Sequence, residues 1–338
     1  RGRKGVFLPP VQFLTVNIWL FFRIHSIIMI KKSPALEQLE FPFRACPWRA
    51  APKRKFFSLI SGRGPQYGGW ENDKMSHITQ AKRIVVKVGT STLTYENGKP
   101  NLRRIEALCK VLSDLQNSGR EVVLVTSGAI GVGMGKLGLR ERPAETERKQ
   151  AVAAVGQCEL MFIYDKFFDE YNQNVAQVLL SSDVLNNQAT RKNVENTFRE
   201  LLEMGIIPVV NENDTVAVDE LVGAKIGDND TLSAVVAILT SADLLVILTD
   251  IDGLYDANPK ANADARRIPY VAEITPEVRA LAGGAGTSRG TGGMFTKVSA
   301  AAMANEKGIP CCVMSGATPA NLYRLFDGEQ IGTIFGTK

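Results

Sequence analysis

Two lysines stand in surroundings that suit a phosphate. Lys87 lies inside Ile84-Val85-Val86-Lys87-Val88-Gly89-Thr90-Ser91, and Lys297 closes Gly290-Thr291-Gly292-Gly293-Met294-Phe295-Thr296-Lys297. The chain holds two histidines, His25 and His77, so none follows position 77. A Ser-His-Asp or Cys-His pair needs an imidazole, and so does a two-histidine zinc site. Most hydrolytic chemistry is thereby excluded from the body of the chain. Lysines at the end of an apolar strand and at a Gly-rich helix entrance suit another task, neutralising a phosphoryl group in transfer. The residues point to a kinase.

Other polar clusters fall where apolar runs stop. Val125-Thr126-Ser127-Gly128-Ala129-Ile130-Gly131 places small residues where a strand hands over to a helix, a turn whose N–H groups can receive an anion. Pro208-Val209-Val210 runs into Asn211-Glu212-Asn213-Asp214, at the strand end where open α/β sheets bind ligands. Lys225-Ile226-Gly227-Asp228-Asn229-Asp230-Thr231 adds two carboxylates and an amide at a helix start. Capping by Asp230 or Thr231 accounts for part of it and leaves Asp228 and Asn229 for a ligand or for catalysis. Leu248-Thr249-Asp250 follows another strand. Gly133-Met134-Gly135-Lys136-Leu137-Gly138 fits G-x-G-x-x-G, but the glycines sit well past the strand end and no acid follows for a ribose. It is expected to be a flexible, turn-rich connection, which disfavours a nicotinamide oxidoreductase. There is no P-loop motif.

The elements that must position these groups alternate. Apolar runs at Ile84–Val88, Val122–Val125, Val175–Leu180, Ile206–Val210, Leu244–Leu248, Ile309–Met314 and Ile331–Phe335 read as strands. Helical periodicity covers Leu102–Gln116, Glu147–Tyr171, Asp183–Met204, Asp230–Thr240, Met294–Lys307 and Pro319–Phe326. This predicts one α/β domain, a three-layer αβα sandwich around a mainly parallel sheet.

Charge divides the chain. Residues 1–74 carry 13 Lys+Arg against 4 Asp+Glu, and residues 75–338 carry 27 against 31. The net charge of +5 thus belongs to the front segment, and the mildly acidic body argues against a nucleic-acid partner. Val11–Ile30 is apolar but interrupted by Gln12, Asn17, Arg23, His25 and Ser26, short of a clean membrane span or a signal peptide. Residues 1–74 are expected to be an unstructured extension, with Met75 as the natural start of a domain covering 75–338. A targeting segment or an anchor is the alternative. The five cysteines show no C-x-x-C pair and are expected to be buried thiols of a reducing compartment.

Together, six of these segments in order resemble the amino-acid kinase family, over about Lys82 to Phe335. The resemblance implies the amino-acid kinase (carbamate kinase-like) fold. The match is close to the branch that transfers the γ-phosphoryl group of ATP to the side-chain carboxylate of L-glutamate, for proline synthesis. It implies ATP and Mg²⁺, the metal carried mainly by the ATP phosphates with no protein metal site. Lys87 and Lys297 would flank the transferring group, and Asp228 would hold these lysines in place and keep them protonated. Ser127, Gly128, Asn211, Asp214 and Asn229 would bind glutamate, Asp214 meeting its α-ammonium. Lys87, Gly89, Thr249, Asp250, Thr291, Gly292, Gly293, Met294, Phe295, Thr296 and Lys297 would bind ATP. Proline as feedback inhibitor, a dimer or tetramer, a cytoplasmic location and no membrane are also implied. The chain resembles the form without an RNA-binding-like C-terminal domain. Rival readings are N-acetylglutamate, carbamate, aspartate or UMP kinases of the same family, and a non-catalytic amino-acid sensor on the same fold.

Overall fold

The computed structural model describes residues 72–336, apart from 96, 182, 217–227, 260 and 284–292. These fall within one compact unit, residues 65–338. Among the described residues, eight strands form a single sheet in the order β3-β4-β2-β1-β5-β7-β8-β6. They are β1 (Arg83–Val88), β2 (Glu121–Thr126), β3 (Val175–Leu180), β4 (Ile207–Glu212), β5 (Leu244–Thr249), β6 (Tyr270–Val271), β7 (Cys311–Ser315) and β8 (Thr333–Phe335). All pairings are parallel except β7 with β8. The expected three-layer α/β architecture is present.

The two faces of the sheet explain why the strands read as unbroken apolar runs: both are covered. Side chains alternate across a strand. Ile84, Val86 and Val88 of β1 pack on one face, against α3 (Leu102–Asn117), α5 (Thr146–Asp169) and α11 (Asn321–Phe326). Val85 packs on the other, against α7 (Gln188–Glu203), α8 (Asn229–Leu239) and α10 (Met294–Asn305). Lys87 shares the parity of Val85 and therefore faces the side of α8 and α10. The same alternation that fills the core aims this cation.

Several elements depart from the sequence reading. Asp183–Met204 is not one helix but α6 (Asp183–Asn186) and α7, divided at Asn187, whose side chain accepts from the Ala189 and Thr190 N–H groups. An asparagine that caps a new helix ends the old one. A helix, α1 (Asn72–Thr79), straddles the boundary expected at Met75, and Met75 and Ile78 are buried in the core. Of the cysteines, Cys109, Cys311 and Cys312 are buried as expected but Cys158 is exposed; Cys46 lies outside the described residues. The short strand β6 and the short helices α2 (Thr90–Leu93) and α9 (Pro276–Leu281) were not among the elements expected from the sequence.

The largest correction concerns Gly133–Gly138. It is no flexible connection: residues Ala129–Leu137 form helix α4, stopped by Gly138 at φ 67°. The glycines serve a helix crossing. A Cβ on Gly133 would lie 2.1 Å from the Val152 carbonyl oxygen of α5, and one on Gly156 of α5 would lie 1.7 Å from that of Ala129. The close seam offsets the low helix propensity of glycine, and the residues make no dinucleotide turn. Gly156→Ala should therefore lower unfolding free energy by about 1–3 kcal/mol, as overpacking does. Gly131→Ala, whose added Cβ meets only ordinary contacts, should not. Urea unfolding of the two variants checks the contrast.

Candidate active site

The carboxyl ends of β1, β2, β4 and β5 open onto one cleft of about 560 Å³. Its lining includes Lys87, Gly89, Ser127, Gly128, Asn211, Asp214, Asp228, Asn229, Thr249, Asp250 and Lys297. These residues come from every one of the strand-end clusters noted in the sequence.

The centre of the cleft is a buried charge triad. Lys87 Nζ lies 2.6 Å from one carboxylate oxygen of Asp230, and Lys297 Nζ lies 3.1 Å from the other. All three side chains are at least nine-tenths buried. Thr296 adds a hydroxyl that donates to Asp230 Oδ2 at 2.7 Å. Burial alone would push the Asp230 pKa up, but the two ammonium groups and these hydrogen bonds outweigh it and hold the carboxyl below its usual range.

This corrects the sequence expectation, which gave Asp228 to the lysines and the cap to Asp230 or Thr231. The roles are exchanged. Asp228 is the N-cap of α8, accepting from the Asp230 and Thr231 N–H groups at 2.8 and 2.9 Å. Asp230, two residues further in, lies on the helix face that also carries Ala234 and Ala237 and is turned to the sheet. That stripe was the available signal.

Beside the triad is a small-residue and amide floor. Gly128, at φ 100°, begins α4 in a conformation that favours glycine, and no side chain caps the helix's first turn. Its amides are free to face an anion. Ser127 Oγ donates to the Val88 carbonyl at 3.1 Å, and Thr90 Oγ1 reaches Ser127 Oγ at 3.3 Å. Asn229 Nδ2 donates both to the Thr126 carbonyl and to Asn211 Oδ1. Burial raises the Asp214 pKa, and Arg142 opposes that rise. Arg142, also on the cleft wall, carried no motif that would have singled it out.

The nucleotide residues divide. Thr249 is buried at the end of β5 with its hydroxyl donating to Asp250 Oδ1 at 3.0 Å. Gly293 is the N-cap of α10. Gly293, Met294 and Phe295 do not line the cleft, and Met294 packs against the core. Thr291 and Gly292 lie outside the described residues, as do Lys225–Gly227.

The model of the amino acid kinase family matches residues 82–315, from before Lys87 to beyond Lys297. The chain belongs to the amino acid kinase family. Among curated proteins, it is similar to the glutamate 5-kinase of Clostridium perfringens, 58% identical over 262 residues that span 77% of this chain and 97% of that protein. The glutamate 5-kinase of Listeria monocytogenes is 55% identical over 77% of this chain and 95% of its own length. That of Moorella thermoacetica is 54% identical over 76% of this chain and 68% of its own length. Among solved structures, the UMP kinase of Bacillus anthracis superposes with a TM-score of 0.51 at 16% identity, covering 76% of this chain and 96% of that one. That likeness concerns the fold of this amino acid kinase family member alone.

Proposed function

We propose that this chain transfers the γ-phosphoryl group of ATP to the side-chain carboxylate of L-glutamate, yielding glutamyl 5-phosphate and ADP: the glutamate 5-kinase reaction. The observation that carries it is the convergence of Lys87 and Lys297 on the two oxygens of Asp230, beside a pocket with a carboxylate for an ammonium group. Three relatives at 54–58% identity bear the name of that reaction.

A glutamate side chain, with a reference pKa of about 4.3, is already an ionised nucleophile at neutral pH. No general base is needed. One of its oxygens bonds to the γ-phosphorus as the bond to the β,γ-bridging oxygen breaks, and ADP leaves with that electron pair. The obstacle is repulsion between an anion and a polyphosphate. Each lysine brings its three-donor ammonium to Asp230, at the place where the phosphoryl oxygens would lie. Asp230 offsets the mutual repulsion of the two cations, so both stand ready at one place. Asp228 and Asp250 are cleft carboxylates that could help hold a nucleotide-borne Mg²⁺, which would supply further positive charge against the phosphates.

Asp214 and the carbonyl end of Asn229 receive the α-ammonium of glutamate, and the first-turn amides of α4 receive a carboxylate. Thr249, Asp250 and the entrance of α10 hold the nucleotide. Inhibition by proline at this glutamate pocket and assembly as a homo-oligomer complete the reading. No helix among the described residues is long and apolar enough to cross a membrane.

The test offers L-glutamate, N-acetylglutamate, L-aspartate and UMP in parallel, with acyl phosphate trapped by hydroxylamine. Turnover with glutamate alone is expected; preference for another acceptor overturns the substrate assignment. Asp214→Asn should raise the glutamate KM by about 10- to 100-fold, as loss of a charged hydrogen bond does. Because the Asp214 pKa is raised, acidification should protonate it early and raise the wild-type glutamate KM. That extra rise should vanish in the variant.

A further inference from the structure

A row of three side-chain amides runs inward from the cleft floor. Asn229, on the cleft wall, donates through Nδ2 to Asn211 Oδ1 at 2.8 Å. Asn211, 2% exposed, donates through Nδ2 to Gln157 Oε1 at 2.9 Å. Gln157 is 8% exposed, on α5, and does not line the cleft. Its sequence neighbourhood gives a helical stripe of Ala153, Gln157, Leu160 and Tyr164, all buried, in which it is the one amide.

The direction of this row is fixed at its outer end. Asn229 Nδ2 also donates to the backbone carbonyl of Thr126, which can only accept. Both Nδ2 hydrogens of Asn229 are thereby committed, and its Oδ1 is the atom left for the cleft. Asn211 must then offer oxygen to Asn229 and nitrogen to Gln157, and Gln157 must offer oxygen in return. Flipping any one amide would set two donors or two acceptors against each other.

Gln157 carries the cost of that order. Its Nε2 is buried with no hydrogen-bond partner among the described residues. A buried donor left unmet is unfavourable, and its persistence marks a position where the opposite end of the side chain is needed.

We infer that, within the glutamate reading above, Gln157 is a positioning residue for substrate selection: its carbonyl, acting through Asn211, locks Asn229 with an acceptor toward the cleft. A cationic α-amino group meets that acceptor and Asp214 together. An N-acylated amino acid brings no cation to either. Discrimination for a free amino group is thus set partly by a side chain that never touches the substrate.

The experiment measures steady-state kinetics of the full chain as wild type, Gln157→Met, Gln157→Glu, Asn211→Ala and the Gln157→Met/Asn211→Ala double variant, each with a thermal melt. Gln157→Met removes the acceptor at similar volume. It should raise the glutamate KM about five- to tenfold, the worth of one neutral hydrogen bond, with kcat and the ATP KM within about twofold. It should also narrow the preference for glutamate over N-acetylglutamate by a similar factor. Gln157→Glu keeps an acceptor toward Asn211 and should return the glutamate KM to within about threefold of wild type. In the Asn211→Ala background, Gln157→Met should add nothing, because the row is already broken. An unchanged glutamate KM in a folded Gln157→Met overturns the inference. So does a uniform loss in kcat, both KM values and melting temperature that adds to Asn211→Ala, which would make Gln157 a packing residue. If Gln157→Met does not fold, Gln157→Glu alone decides: a glutamate KM as high as that of Asn211→Ala refutes the role. Failure of the wild type itself to use glutamate sinks the functional reading, a result separate from all of these.

Discussion

Asp230→Asn is expected to reduce kcat by about 10²- to 10³-fold, the scale on which a preorganised electrostatic group acts in a transition state. Its effect on stability should be as plain. The variant leaves two buried ammonium groups without a counter-charge, and removing one partner of a buried ion pair costs about 3–5 kcal/mol. Asp228→Asn supplies the contrast. Asparagine caps a helix as well as aspartate does, so only the interaction of a charge with the helix N-terminus is lost, about 0.3–1 kcal/mol. Urea unfolding of both variants checks the order. If Asp228→Asn were the more damaging to stability, the exchange of roles between these two carboxylates would be wrong. pH offers a second reading. The folded-state pKa of Asp230 lies below its ordinary 3.8, so its contribution is complete above that value and is lost as the pH falls through the lower one. The acid limb of the wild-type stability curve should flatten in Asp230→Asn.

Lys297→Met should cut kcat by about 10³-fold, the upper end of what a single charge-stabilising group contributes. Here the fold should survive. Asp230 keeps Lys87 at 2.6 Å, and the methionine fills the buried stem position on α10. The glutamate KM should stay within about threefold, since Lys297 is assigned to the phosphoryl group and not to the amino acid. Lys297→Arg should be no rescue, because a planar fork cannot replace a compact ammonium in a site this closed. Steady-state kinetics with both substrates varied will separate these effects. A large rise in glutamate KM at unchanged kcat would move Lys297 into the acceptor pocket instead.

Much of this site was legible in the sequence because parallel strands covered on both faces are nearly unbroken apolar runs, and their polar ends stand out. Gly89, Ser127, Asn211, Glu212, Asp214, Thr249 and Asp250 all reach the cleft for that reason. Helix interiors were harder. Gly133 and Gly135 suggested a turn by their conformational freedom, whereas what fixes Gly133 is the missing side chain, which lets the backbone of α5 approach. In Asp228-Asn229-Asp230 either carboxylate could cap, and only the buried stripe shared with Ala234 and Ala237 decides between them. Gln157 was hidden by the same averaging, since one amide in an apolar stripe changes the periodicity very little. Arg142 follows α4 in a segment without pattern, and nothing short of coordinates brings it to the cleft.

The triad joins positions 87, 230 and 297, on a central strand and on two helices of one face. Closing such distant loops is entropically slow, and contacts of this range come late in folding. A nascent or partly folded chain therefore has no means of assembling the charge cluster before α10 docks on the sheet. Immature chains will be catalytically silent, and any local opening that peels α10 away will switch off chemistry before the remaining core is lost.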